Sequence, residues 1–127
     1  MERSFAKSFT DLDVFKSAME AAMEIFELSK GFPSEERYSM TDQIRKASRS
    51  VCANLGESWR RRRYSKAFIS KLNECESEAA ETHVWLMLAL RCEYISAETE
   101  NRLVTAYDRI LGQLVNMINN ADRWTLS

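Results

Sequence analysis

Proline occurs once, at Pro33, and glycine only at Gly31, Gly56 and Gly112. Both residues interrupt regular backbone, so their scarcity favours long helices joined by short connections. The chain shows no strand-like alternation, no repeat at solenoid periods and no low-complexity segment. Cys52, Cys75 and Cys92 are odd in number, widely spaced and form no CxxC pair, so they read as reduced, structural thiols rather than a disulfide framework. The formal net charge of −1 excludes a globally basic protein, and any affinity for nucleic acid must come from a local patch. The longest apolar run, Val84 to Leu90, falls far short of the roughly 20 residues a membrane span needs. The opening MERSFAKSFTDL has no apolar stretch of the secretory kind. These absences predict a soluble cytoplasmic chain without a membrane partner.

The 127 residues suit one domain, with 1–10 as a loose lead-in anchored by Phe5 and Phe9. Asp11 is the expected cap of a first helix in which Val14, Ala18, Ala21, Ile25 and Leu28 repeat at helical spacing. Phe15, Met19, Ala22 and Phe26 form a second stripe, and Lys30-Gly31 ends the helix. After Phe32-Pro33, Ser34 is expected to cap, with Ser39 or Thr41 capping again. The second helix turns Ile44, Ala47, Val51 and Leu55 inward, with Ser48, Ser58 and Trp59 beside them. Gly56 lies inside it, at a cost of about 1 kcal/mol against alanine, which implies a close helix–helix approach or a kink.

Ser65 is the expected cap of the third helix, where Phe68, Leu72, Cys75, Ala79, Thr82, Leu86 and Leu90 follow a bundle seam. From Val84 to Leu90 that helix is apolar on every side. Val84, Trp85 and Leu88 therefore predict a contact with a second copy of the chain. Ser96 caps a fourth helix carrying Leu103, Tyr107, Ile110, Leu114, Met117 and Ala121, with Val104, Leu111 and Ile118 alongside. Helices of roughly 20 residues are about 30 Å long, and short connections make neighbours antiparallel. The expected fold is all-α: an antiparallel up-down-up-down four-helix bundle that assembles as a homo-oligomer.

The stretch from Gln43 to Lys66 joins this packing pattern to a charge cluster. Arg45, Arg49, Arg60 and Arg63 fall near one face if the helix is continuous, and Lys46, Arg61, Arg62 and Lys66 widen the patch. Guanidinium forks bind phosphate bidentately, while Trp59 and Tyr64 offer rings to unpaired bases. The plainer alternative is a solvated face, or arginines paired with the chain's many glutamates.

Other chemistry finds weak support. Glu20, Glu24 and Glu27 share one helical face, and Glu74, Glu78 and Glu81 share another. Glu78 and Glu81 are followed by no histidine at the spacing of a di-iron site, and a Mg²⁺ site lacks its second acidic signature. These rows read as solvent faces or partners of the arginines, so no metal or cofactor is expected. His83, the only histidine, has Glu78 where a helical ribonuclease of the arginine–histidine kind needs arginine. It reads as a packing residue, and no catalytic residue is assigned. Asn54 and Glu57 are expected to cap neighbouring groups or to bridge subunits at the oligomer interface, with a polar pocket at that interface as the alternative.

Several segments resemble one family. Asp11-Leu12-Asp13-Val14-Phe15-Lys16-Ser17-Ala18 resembles its opening DLxVxxxA. Phe32-Pro33-Ser34-Glu35-Glu36-Arg37-Tyr38, followed by Thr41-Asp42-Gln43-Ile44-Arg45-Lys46-Ala47, resembles FPxxERYxLTxQIRRA. Ala53-Asn54-Leu55-Gly56-Glu57 is similar to ANIAEG, and Ala80-Glu81-Thr82, Trp85-Leu86 and Tyr94-Ile95 match the third helix and its exit. The family is that of the four-helix-bundle proteins encoded in 23S rRNA intervening sequences, with their free-standing relatives. The resemblance implies a ring-like homopentamer without established enzymatic activity. Distantly related bundles act as accessory factors of diversity-generating retroelements, where a basic surface meets nucleic acid and a reverse transcriptase.

Three departures raise charge and bulk or alter packing. Val51-Cys52 stands where the family usually has proline before Ala-Asn, Ser58-Trp59-Arg60 where it often has glycines, and Ser65-Lys66-Ala67 where it is often acidic. The functional expectation is a non-enzymatic oligomer that binds RNA or DNA through the basic patch. The alternative is a protein-interaction scaffold that binds no nucleic acid.

Overall fold

The computed structural model describes residues 6–125, so the Phe5 anchor lies outside the described residues. Among these residues the regular elements are helical: α1 (Asp13–Ser29), α2 (Met40–Arg60), α3 (Ser65–Arg91) and α4 (Ala97–Asn119). Short 3₁₀ turns occupy Phe9–Asp11, Ser34–Glu36 and Ala121–Arg123. Aromatic pairs fix the direction of each helix. Phe32, between α1 and α2, meets Tyr94, between α3 and α4, with ring centroids 5.5 Å apart. At the opposite end Trp59 of α2 meets Trp124, beyond α4, at 6.5 Å. Successive helices therefore run in opposite directions. Each packs on the next and α1 packs on α4, which gives a four-helix bundle with α1 and α3 on a diagonal.

The core follows the helical stripes. Val14, Ala18, Ala21 and Ile25 of α1 bury against Ile44, Ala47, Val51 and Leu55 of α2 and their counterparts on the other helices. Phe68, Leu72, Cys75, Ala79, Thr82 and Leu86 form the seam of α3, while Leu103, Tyr107, Ile110, Leu114 and Met117 form that of α4. Removing these faces from water is the main force that holds the bundle together. Three positions depart from the stripes. Leu28 is only partly buried, Ala89 replaces Leu90 at the buried end of α3, and Met19 is 42% exposed. Met19 belonged to the wider second stripe of α1, but only its inner edge is covered.

Capping differs from the sequence expectation at several starts. Asp11 does not cap α1: it lies in the preceding 3₁₀ turn, where its carboxylate accepts from the Lys7 and Ser8 N–H groups at 2.9 and 3.2 Å. Leu12, 1% exposed, precedes α1 instead, so burial holds that start without a side-chain cap. Ser34 makes no side-chain cap, and neither does Ser39 at the start of α2, where a Glu36 carboxylate oxygen accepts from the Met40 N–H at 3.2 Å. Ser65 is the first residue of α3 and Tyr64 occupies the cap position. Ser96 caps α4 as expected, accepting from the Thr99 N–H at 3.1 Å.

α2 runs unbroken through Gly56, and the nearest side chain to it comes from the lead-in turn rather than from another helix. The Phe9 ring lies 3.6 Å from the place a β-carbon would take, and Phe9 in turn meets Phe15 edge-on at 5.0 Å. A β-carbon there would make only an ordinary van der Waals contact with the ring, so the packing of the lead-in turn on α2 has room for alanine and does not require the glycine.

Tyr107 carries the one described buried side-chain polar atom without a hydrogen-bond partner, its hydroxyl oxygen. Burial, with a smaller contribution from nearby Cys52, pushes the phenol's pKa above its ordinary range. Tyr107→Phe removes the unsatisfied group at nearly constant shape. It is expected to raise stability by about 1 kcal/mol in thermal unfolding; a loss of that size would show that the hydroxyl has a partner.

Candidate nucleic-acid interface

The structure divides the basic cluster between the first half of α2 and its end. Arg45 and Lys46 lie in its second turn, Arg49 near its middle, and Arg60 is its last residue. Arg45 and Arg60 stand roughly 22 Å apart along the axis, from a rise of about 1.5 Å per residue. The expected face is corrected at Arg63, because α2 does not continue to it. Arg61 caps the helix and Arg63 follows in the turn to α3, so neither shares the face of a longer helix. Gly56, with the Phe9 ring against it, separates the two groups.

The turn at the α2–α3 corner is held by Arg62. Its guanidinium lies 3.6 Å from the centroid of the Trp59 ring and its Nε donates to the Trp59 carbonyl at 2.9 Å. Burial, and then repulsion from Arg60, lowers its pKa from the ordinary arginine value. Arg62 is thus a structural pin rather than a free phosphate contact. Trp59 is 6% exposed, covered by Arg62 and edged by Trp124, so it is not the base-stacking ring the sequence suggested. Arg60, Arg61, Arg63 and Lys66 are exposed and form no ion pair with another described residue. Tyr64, 69% exposed, stands in the same turn.

The carboxylate rows serve other partners. Glu27 pairs with Lys30 at 3.2 Å, Glu24 with Arg102, and Glu74 with Lys71 at 3.0 Å. Glu81 accepts from the Trp85 indole at 3.3 Å. None of these pairs neutralises the arginine corner. Burial, followed by the charge of Glu81, raises the pKa of the Glu78 carboxyl, partly offset by a hydrogen bond from Ser50. Among the described residues no three His, Cys, Asp or Glu side chains converge as a metal-holding group. His83 Nδ1 lies 3.7 Å from an Asp108 carboxylate oxygen on α4, a cross-helix pair.

Burial is the main cause that raises the Cys52 thiol to about 11 and the Cys75 thiol to about 12. Both therefore stay protonated at neutral pH, and a protonated thiol is a poor nucleophile. Asn54 and Glu57 join α2 to α3 within the chain: Lys71 donates to Asn54 at 3.4 Å and pairs with Glu57 at 3.2 Å.

The apolar stretch of α3 is half satisfied. Trp85 is half-buried and packs partly on the chain's own core. Val84, Met87 and Leu88 remain 53%, 47% and 42% exposed. Sequence reasoning missed a second patch on α1, where Met19 and Met23 are exposed. Methionine on the outer half of a broad apolar stripe was its only signal. Also missed was a cleft of about 450 Å³ at the α1–α2 corner, where Lys30 and Arg37 join Arg45, Lys46 and Arg49.

No described helix is long and apolar enough to cross a membrane. The fold and its surfaces define a small all-helical bundle protein with basic regions in the first half and at the end of its second helix. The chain belongs to the 23S rRNA-intervening sequence protein family, whose model matches residues 10–116. Among solved structures it is similar to a protein of unknown function of the S23 ribosomal protein family from Bacteroides thetaiotaomicron. The two chains are 32% identical with a TM-score of 0.75, over 83% of this chain and 97% of that one. No curated protein matches the chain.

Proposed function

We propose that this protein is a self-associating, non-enzymatic module of the cytoplasm that binds single-stranded RNA or DNA through the α2–α3 corner. The observation that carries the reading is the unneutralised set Arg60, Arg61 and Arg63 on a turn pinned by Arg62. Arginine forks contact phosphates without reading sequence, and exposed Tyr64 supplies a ring on which an unpaired base stacks. Repetition of the corner around an oligomer multiplies the contacts.

Self-association is supported by two unlike apolar patches, on α3 and on diagonally placed α1. Unlike patches meeting head to tail generate a closed ring or a filament, and the family resemblance favours a pentameric ring. A monomer in sedimentation at micromolar concentration would overturn the assembly. Fluorescence anisotropy of labelled strands over a salt series tests the binding. Four phosphate contacts, from Arg60, Arg61, Arg63 and Lys66, predict a log–log salt slope of roughly −3 per protomer. Absence of binding at low salt would leave the protein-interaction scaffold as the function.

A further inference from the structure

We infer that the cleft between the end of α1 and the start of α2 binds a phosphomonoester dianion. This site is separate from the α2–α3 corner and does not rest on the function proposed for it. Two of the arginines that line the cleft lie over the ring of Phe26. The Arg45 and Arg49 guanidiniums lie 4.9 and 5.6 Å from the centroid of that one ring. Ser29, only 2% exposed, fixes the nearer of the two. Its hydroxyl donates to the Phe26 carbonyl at 3.0 Å and accepts from Arg45 Nε at 2.8 Å. With Nε engaged, Arg45 presents its two Nη groups, the edge that takes two oxygens of one anion. Arg37 adds a third guanidinium to the cleft, its ring partner Tyr38 lying 5.9 Å away.

The charge count singles these three out. Lys46 is matched by Asp42 at 3.5 Å and Lys30 by Glu27 at 3.2 Å. Arg37, Arg45 and Arg49 form no ion pair with any described carboxylate. Neutral groups and aromatic faces hold three like charges on a concave wall, an arrangement that repels itself until an anion enters. A phosphomonoester supplies three terminal oxygens and close to two negative charges near neutral pH. The first turn of α2, with Thr41 lining the cleft, adds the positive end of a helix dipole. The volume of about 450 Å³ lies in the range of small-molecule sites, roughly 300–1,000 Å³. It therefore accommodates a phosphate on a carrier, either a free metabolite or the terminal phosphate of a strand.

An NMR amide-shift titration of the whole chain at physiological salt tests this site with adenosine monophosphate, adenosine, and a trinucleotide with or without a terminal phosphate. Saturable shifts around Ser29 and Thr41 are expected with the monophosphate and not with adenosine. Arg45→Gln with Arg49→Gln should weaken binding roughly tenfold or more, as loss of two charged forks implies. Arg37→Gln, in an exposed turn, should weaken it also and decides the matter if the double variant does not fold. Arg61→Ala with Arg63→Ala should leave it unchanged, which separates this site from the strand-binding corner. Binding of the phosphorylated trinucleotide marks a strand end as the source; its exclusion while the monophosphate binds marks a free metabolite, and both results support the site. No shift at millimolar monophosphate, equal shifts with adenosine, or loss of binding in the Arg61–Arg63 variant would overturn it.

Discussion

Replacing Arg60, Arg61 and Arg63 together by alanine is expected to weaken binding of single-stranded RNA or DNA by about a hundredfold. The salt slope should flatten by about two, because each phosphate contact on a single strand contributes roughly 0.7. The fold should be unaffected. All three side chains are exposed and form no ion pair with a described residue, and alanine suits the end of α2 at least as well as arginine. Arg62→Ala is a different experiment, since it strips the cover from Trp59 and breaks the bond to the Trp59 carbonyl. Its loss should lower stability and binding together. The triple variant isolates phosphate contact, and an unchanged slope in it would remove the α2–α3 corner from the binding surface.

Phe68→Ala is expected to cost about 3–5 kcal/mol, the usual range for a fully buried phenylalanine. Phe68 has no exposed surface, and its N–H donates to the Tyr64 carbonyl at 2.9 Å. It is therefore the core anchor directly below the turn that carries the arginines. A domain of this size has a total stability on the order of 5–15 kcal/mol, so the variant should be only marginally folded. Urea unfolding measures the effect as a fall in midpoint at nearly constant slope. The remaining folded protein should also bind strands more weakly, because the turn loses its base. A cost below about 1 kcal/mol would mean that neighbouring side chains close the cavity.

The bundle was legible because its buried residues keep helical period. Ile44, Ala47, Val51 and Leu55, with Ser48 and Trp59 beside them, announced the inner face of α2, and all are buried. Periodicity reports which side of a helix faces inward; it does not report where the helix stops. Arg63 was placed on α2 because nothing in the run from Arg60 to Arg63 signals a break, yet the helix ends at Arg60. Periodicity is also silent on what covers an aromatic ring. Trp59, read as a ring for bases, and Phe26, read as part of an apolar stripe, both lie under arginine guanidiniums of their own chain and act as supports for cations. The cleft combines residues from the end of α1, the following turn and the start of α2, whose proximity exists only once the chain reverses. Met19 shows the converse limit, an apolar residue at helical spacing that the single chain leaves exposed.

Photo-crosslinking of a bound single strand, with the attached peptide mapped by mass spectrometry, locates the contact most directly. Crosslinks are expected at Tyr64 and on the segment from Arg60 to Lys66, fading as salt is raised. Crosslinks confined to the outer faces of α1 or α4, or none under conditions where the strand is bound, would contradict the assignment of that corner.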